Sequence, residues 1–264
     1  DSHTRWVIGV LEAQWHLLRV FEFKKSDGSH LPWADIFYHQ SLRGSLLRVG
    51  RIYSHFCVYP KTDRLGITID GESVGSLDLS QIHPTMLLAF EGIQSEEELM
   101  GENAPEDAYS MPSFSNFTRQ HNKTLINILF NSKSIDAASK AFINTHHWKD
   151  PITNELVIKT YKGKTRKKRQ GMPIFQPNSK VETLKYIEAF KATHPAFADL
   201  VAADRPYDLQ SLDATIALRV IDILTQAGFP VLTVHDEFIV RQQDRKWLEM
   251  ALVQAAKSVL NDIY

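Results

Sequence analysis

The sequence contains a single cysteine, Cys57, among 264 residues. One cysteine excludes an internal disulfide and an all-cysteine zinc site, and it is typical of a protein of the reducing cytoplasm. No apolar run reaches the roughly 18 residues that a membrane-spanning helix requires, so no membrane partner is expected. No signal peptide is evident, and the chain opens with Asp1 rather than Met, which fits a processed form or a fragment of a longer protein.

The sequence also has almost no net charge. Its formal value is −1 at pH 7, so no global basic field indicates nucleic acid, and any such signal has to be local. With 43% hydrophobic and 23% charged residues the composition is that of a globular protein with a substantial core. The length suits one large domain or two small ones.

The stretch Val231–Val240, VLTVHDEFIV, interrupts an apolar run with three titratable residues. Burying such residues in mid-strand is costly unless they are paired or bind a cation. The stretch therefore predicts two short strands with Asp236 and Glu237 at the turn between them. Neighbouring carboxylates on a hairpin tip suit a hard cation such as Mg²⁺; the alternative is an exposed hairpin whose tip is merely charged.

A second acidic residue, Asp78, ends the predicted strand Val74–Leu79, and a helix is expected to start near Ser80 or Pro84. An acid between a strand and a helix is a common catalytic position in α/β folds. The alternative is an aspartate that caps the helix.

Two basic features stand out. Arg119 and Lys123 are four residues apart in a predicted helical run, Phe114–Phe142, and therefore share a helix face. That face suits polyphosphate or is simply solvated. Seven basic residues, Lys167 and Lys168 among them, fall within the eleven positions 159–169, which is typical of an arm on a phosphate backbone or of a charged surface loop.

The remaining periodicities predict an α+β fold. Helical spacing predicts a helical segment over residues 1–49, with a second helix over about Pro32–Val49 after the Asp27-Gly28 turn. Gly50–Pro60 and Leu65–Ser73 indicate β-hairpin material, and the acidic residues 93–113 a solvated loop or short surface helix. Further helices are predicted over Val181–Thr193, Leu209–Gln226 and Arg245–Leu260.

Asp78 and Asp236 are 158 positions apart, and the mostly helical stretch between them carries the cations. Carboxylates from two strands that hold a pair of divalent ions, with cations that neutralise a triphosphate, are what two-metal phosphoryl transfer requires.

In this order the motifs resemble the palm-and-fingers module of family A DNA polymerases, with single-subunit phage-type RNA polymerases as more distant kin. LDLSQIHPTMLLA (Leu77–Ala89) is similar to motif A, DYSQIELR, and VHDEF (Val234–Phe238) to motif C, VHDEL. RQHNKTLINILFNSK (Arg119–Lys133) resembles motif B, R-x3-K followed by an aromatic and a glycine. GRIYS (Gly50–Ser54) is similar to the GRLSS segment at the primer–template, and LQSLDATIA (Leu209–Ala217) to the family's glutamine-bearing helix.

The resemblance implies a right-hand palm with a small antiparallel sheet, a helical fingers insertion and a short or absent thumb. It divides the chain into a helical N-terminal segment (residues 1–49), a first palm part (50–92), a fingers-like insertion with a basic loop (93–205) and a second palm part (206–264). The implied activity is two-metal extension of a DNA 3′ end from deoxynucleoside triphosphates on a primer–template, with a processivity partner or a missing N-terminal domain in place of the thumb.

The resemblance also implies residue roles. Two Mg²⁺ or Mn²⁺ ions would be held by Asp78, Asp236 and the backbone carbonyl of Leu79, with Glu237 assisting catalysis. The triphosphate and nucleotide would be contacted by Arg119, Lys123, Gln81, His83 and Phe130. The nucleic acid would be contacted by Arg51, Gln210, His235, Lys167 and Lys168.

Three departures leave alternatives open. His83 stands where the family has a glutamate that helps to exclude ribonucleotides. Phe130-Asn131 or Asn131-Ser132 falls where motif B ends in Tyr-Gly, and Asn127 replaces the usual aromatic. An RNA-synthesising or template-independent polymerase, an inactive nucleic-acid-binding palm and a metal nuclease therefore remain alternatives.

Overall fold

The computed structural model describes residues 2–42, 49–78, 82–90, 107–144, 160–161, 164–165, 180–202 and 209–261. The chain divides into two compact units. Unit 1 comprises Asp1–Ile82 and Tyr207–Tyr264, and unit 2 comprises His83–Pro206, which interrupts unit 1 in the sequence.

Unit 1 is built around an antiparallel sheet of five strands in the order β1-β4-β5-β9-β8. The strands are β1 (Phe23–Lys24), β4 (Thr68–Ile69), β5 (Glu72–Asp78), β8 (Leu232–Val234) and β9 (Glu237–Arg241). A separate antiparallel pair is formed by β2 (His39–Leu42) and β3 (Val49–Tyr53). The α+β class with an antiparallel sheet is therefore confirmed.

Unit 1 also contains helices. They are α1 (Ser2–Leu18), the short α2 (Lys61–Leu65), α7 (Leu209–Gln226) and α8 (Arg245–Asn261). Helix α7 packs against α1, α8 and β3, while α8 also packs against β5 and β9. The side chains of β8 and most of β9 are buried, which explains their near-continuous apolar sequence.

Unit 2 is mainly helical in the part that the structure describes. It contains α4 (Arg119–Phe130), α5 (Ile135–Asn144) and α6 (Lys180–Thr193), together with most of α3 (Ile82–Phe90) and a two-residue ladder of β6 (Thr160–Tyr161) and β7 (Lys164–Thr165). Its core is aromatic and includes Tyr109, Phe142, Tyr186 and Phe190.

Two predicted helices are wrong. Over the described residues 32–42 the helix predicted for about Pro32–Val49 does not form, because residues 39–42 pair with β3 and Trp33–Asp35 forms a single 3-10 turn. The single run Phe114–Phe142 is two helices, since Thr118 caps a new start and the chain turns again between Phe130 and Ile135. The helices near 181–193, 209–226 and 245–260 and the strand–turn–strand over Val231–Val240 are confirmed. The turn itself is His235-Asp236, whereas Glu237, predicted at the turn, is the first residue of β9 because it pairs with Val234.

No helix among the described residues has the length and apolarity needed to cross a membrane.

Candidate functional site

Three acidic residues lie at one end of the five-stranded sheet. Asp78, the last residue of β5, lies opposite Glu237, the first residue of β9, in antiparallel register. Asp236 precedes Glu237 at the hairpin tip, so the three side chains start from neighbouring backbone positions. Asp78 is exposed and Asp236 half-buried. The sheet thus brings together two acidic elements that are distant in the sequence.

Glu237 is held by two cations from α2. Arg64 Nη2 donates a hydrogen bond to Glu237 Oε2 at 2.8 Å, and Lys61 Nζ lies 3.0 Å from Oε1. Glu237 is only 7% exposed. Burial raises the pKa of its carboxyl, but the hydrogen bonds and charges of Lys61 and Arg64 outweigh burial, and the pKa lies below its ordinary value. Both oxygens are therefore engaged within the chain.

His235, at the turn of the hairpin, contacts a tyrosine. Its φ of +61° places it in the left-handed region, and its ring meets the ring of Tyr53 edge-on at 5.2 Å. Burial lowers the pKa of the imidazole, as does the charge of Arg51, while Asp236 partly opposes them. The pKa of the imidazole is therefore held below its ordinary value mainly by burial.

Arg51 lies on β3, two residues before Tyr53, and its Nη2 is 3.6 Å from Oδ2 of the buried Asp213 on α7. Gln210 is on the first turn of the same helix, but its side chain lies outside the described residues. The β3 and α7 motifs thus lie side by side in unit 1, as do the β5 and β9 motifs.

Three side chains that are distant in the sequence hold the hairpin in place. Gln14 Nε2 donates to the carbonyl of Val231 at 2.9 Å, and the Thr233 N–H donates to Tyr38 Oη at 2.8 Å. Cys57 Sγ lies 3.8 Å from the Thr233 carbonyl. Strand β8 is at the edge of the sheet, so one side of its backbone has no neighbouring strand. These side chains hydrogen-bond to the backbone groups on that side. They fix the position of the tip that carries Asp236.

The acidic residues at this end of the sheet meet only some of the requirements of a divalent-ion site. Within the part of the chain that the structure describes, no group of three or more His, Cys, Asp and Glu side chains could hold a metal. Mg²⁺, however, is commonly held by one or two carboxylates together with substrate phosphates. Asp78 and Asp236 could supply these two carboxylates. Glu237 could not be a third ligand, because both of its oxygens already bind Lys61 and Arg64.

The cationic face of α4 is a second candidate site, in unit 2. The guanidinium of Arg119 binds Asp107 through two hydrogen bonds of 2.5 and 3.0 Å. Arg119 and Lys123 lie over the ring of Tyr109, at 5.2 and 5.9 Å from its centre, and Tyr109 Oη donates to Asn127 Oδ1 at 3.3 Å. The segment Asp107–Tyr109 therefore covers the face that the sequence assigned to a triphosphate.

Two predicted nucleotide contacts are buried in unit 2. Phe130 is 4% exposed and packs against Phe190 and Phe197 at ring distances of 5.8 and 5.3 Å. His83, on the first turn of α3, is 8% exposed. Phe130 is a core residue and does not contact a nucleotide in this conformation.

The remaining predicted residues lie outside the described part of the chain. These are Leu79 and Gln81 after β5, and Lys167 and Lys168 in the basic run.

Sequence reasoning missed the residues that support the site. Lys61 and Arg64 are three apart on α2 and share a face, a signal that the sequence does contain. Nothing in the sequence links Gln14, Tyr38 or Asp213 to the hairpin or to Arg51, since each contact joins distant segments.

Comparisons with protein-family models, with curated proteins and with solved structures find no match for this chain.

Proposed function

We propose that the chain is a metal-dependent nucleotidyltransferase that extends the 3′ end of a DNA strand, with unit 1 as a polymerase palm and unit 2 as a fingers-like insertion. The observation that carries the proposal is the register of β5 and β9, which sets Asp78 beside the hairpin tip that bears Asp236. Binding alone needs no such pair, because carboxylates repel a phosphate backbone unless a cation lies between them.

In this proposal Asp78 and Asp236 hold the divalent ions that activate the 3′ hydroxyl and stabilise the leaving oxygen. Glu237 is a positioning residue: its ion pairs with Lys61 and Arg64 tie the hairpin to α2. The buried and hydrogen-bonded hairpin keeps Asp236 in a fixed place, so little rearrangement is needed during reaction.

Arg119 and Lys123 bind the triphosphate in the proposal, because a guanidinium and an ammonium on one helix face match its charge. The bidentate partner of Arg119 in the structure is the carboxylate of Asp107, whose geometry resembles that of a phosphate. The nucleotide would therefore compete with Asp107 for the same guanidinium.

Primer extension tests the proposal directly. The protein is incubated with Mg²⁺ or Mn²⁺, a labelled primer–template and deoxynucleotides. The wild type should extend the primer, and Asp78→Asn and Asp236→Asn, which keep side-chain size and remove the charge, should each lower the rate by at least about a thousandfold. Glu72→Gln is the matched control, because Glu72 is an exposed acid at the other end of the same strand, β5; its rate should be unchanged.

The same assay separates the alternatives. Extension with ribonucleotides in place of deoxynucleotides identifies an RNA-synthesising enzyme, and extension without template identifies a terminal transferase. Shortening of the primer that depends on Asp78 and Asp236 indicates a nuclease. Binding without any reaction, unaffected by either substitution, contradicts the proposal and leaves an inactive palm.

A further inference from the structure

Three rings form a row in unit 1 that leads to the acidic hairpin tip; we call His39, Tyr53 and His235 the ring row. His39 of β2 and Tyr53 of β3 are direct partners in the antiparallel register, so their side chains share one face. Their ring centres are 6.2 Å apart at an angle of 31°. Tyr53 in turn meets His235, which immediately precedes Asp236.

The ring row is accessible to solvent, most of all at its His39 end. His39 is exposed, while Tyr53 and His235 are half-buried. Their neighbour Arg51 is engaged by Asp213, so the surface beside the acids presents flat rings and only a partly neutralised cation. Such a surface suits nucleobases, because every base has a face that stacks on an aromatic ring whatever the sequence.

We infer that the ring row binds the last bases of an unpaired 3′ strand by stacking, which makes single-stranded nucleic acid the substrate class of the carboxylate site. The inference rests on the proposed function for the role of the acids, but the binding itself does not depend on catalysis.

Fluorescence anisotropy with a labelled single-stranded DNA oligonucleotide, in EDTA so that no reaction occurs, measures this binding. Tyr53→Ala should weaken the affinity about tenfold and Tyr53→Phe should retain it, because the ring and not the hydroxyl stacks. His39→Ala should weaken it less, about threefold, because an imidazole is a smaller stacking surface. Trp33→Ala is the matched control: this exposed ring of unit 1 lines a different surface with Phe23 and Leu31, and its loss should leave binding unchanged.

A measurement on the wild type covers the case in which Tyr53→Ala fails to fold. Replacing the last two bases of the oligonucleotide by abasic sites should weaken binding about as much as Tyr53→Ala does. A blunt duplex should bind more weakly than the single strand. Equal affinity for intact, abasic and blunt-ended DNA would overturn the inference.

The outcomes for the two proposals are distinguishable. If the wild type extends a primer while Tyr53→Ala binds as tightly as the wild type, the ring row is not the strand-binding surface and the proposed activity stands. If the wild type binds single strands in a Tyr53-dependent way but never reacts, the inference stands and the proposed activity fails.

Discussion

At the scale of single residues, Glu237 has the sequence position of a catalytic residue, but its contacts in the structure are those of a residue that stabilises the fold. The sequence places it beside Asp236, yet in the folded chain Arg64 and Lys61 occupy its two oxygens. Removing one partner of such a nearly buried ion pair strongly destabilises the folded state, because the remaining charges have lost their counter-ion.

We therefore expect Glu237→Gln to lower the free energy of unfolding by roughly 3 kcal/mol, measured by urea denaturation. Lys61→Met should cost less than about 1 kcal/mol, because the Lys61 side chain is 60% exposed and solvent screens its charge. A larger loss for Lys61→Met than for Glu237→Gln would contradict this assignment.

The lowered pKa of Glu237 also predicts a pH dependence. A carboxyl whose pKa is lower in the folded than in the unfolded state contributes stability above the unfolded pKa, and this contribution is lost as the pH falls through the folded pKa. The difference in unfolding free energy between wild type and Glu237→Gln should hence be constant above about pH 6 and shrink as the pH falls below the ordinary glutamate pKa of about 4.3. Denaturation curves across this range check it, and a difference that does not change with pH would show that the charge of Glu237 contributes nothing.

At the scale of elements, helix α4 is defined by its cap. The Thr118 side chain accepts a hydrogen bond from the His121 N–H, and the His121 side chain accepts one from the Thr118 N–H, a reciprocal capping box. Because α4 begins at this cap, the predicted long helix is interrupted here. The cap also sets the helix register, in which Arg119, Lys123 and Asn127 face Tyr109.

Thr118→Ala should lower the free energy of unfolding by about 1 kcal/mol, because it leaves a helix N–H without an acceptor. Thr118→Ser keeps the hydroxyl and should lose little. Urea denaturation of both variants separates the cap from side-chain size, and equal losses would show that the methyl group, not the cap, matters.

Asp107 gives a functional prediction for the same element. Since Asp107 and a triphosphate would compete for Arg119, Asp107→Asn should lower KM for deoxynucleotides a few-fold with little change in kcat. A few-fold effect corresponds to the roughly 1 kcal/mol that an exposed ion pair contributes. Asp136→Asn is the control, since Asp136 forms an exposed ion pair with Lys180 elsewhere in unit 2. A raised KM for Asp107→Asn would instead mean that Asp107 orients Arg119 for the nucleotide.

At the scale of the whole molecule, unit 1 is assembled from both ends of the chain. Strand β5 pairs with β9, whose first residue follows Asp78 by 159 positions. A sheet of this kind cannot form until its last strands have been synthesised, and the unpaired strand is prone to aggregation until then.

Truncation after Gln226 removes β8, β9 and α8 and leaves an edge of β5 unpaired. We expect the truncated chain to be largely insoluble, and any soluble fraction to lose hydrogen-exchange protection in β4 and β5. Protection equal to that of the full chain would show that the first part of unit 1 folds without its last strands.

What the sequence by itself determined is the local structure with strong patterns. The apolar periodicity of residues 209–226 and 245–260 predicts α7 and α8 because a buried helix face repeats every 3.6 residues. The charged interruption in VLTVHDEFIV predicts the hairpin tip, and Asp78 was correctly placed at a strand end. These features depend on neighbours along the chain, which the sequence shows directly.

What only the tertiary structure decided is which distant groups meet. Residues 39–42 have a helix-compatible pattern, yet they form β2 because β3 supplies hydrogen bonds that a local helix would otherwise provide. Glu237 pairs with α2, Phe130 lies in a core, and His235 contacts Tyr53, because packing and charge neutralisation join segments whose separation in the sequence carries no information about their contact. The acids could be identified one by one from the sequence, but their meeting at one end of the sheet is a property of the fold.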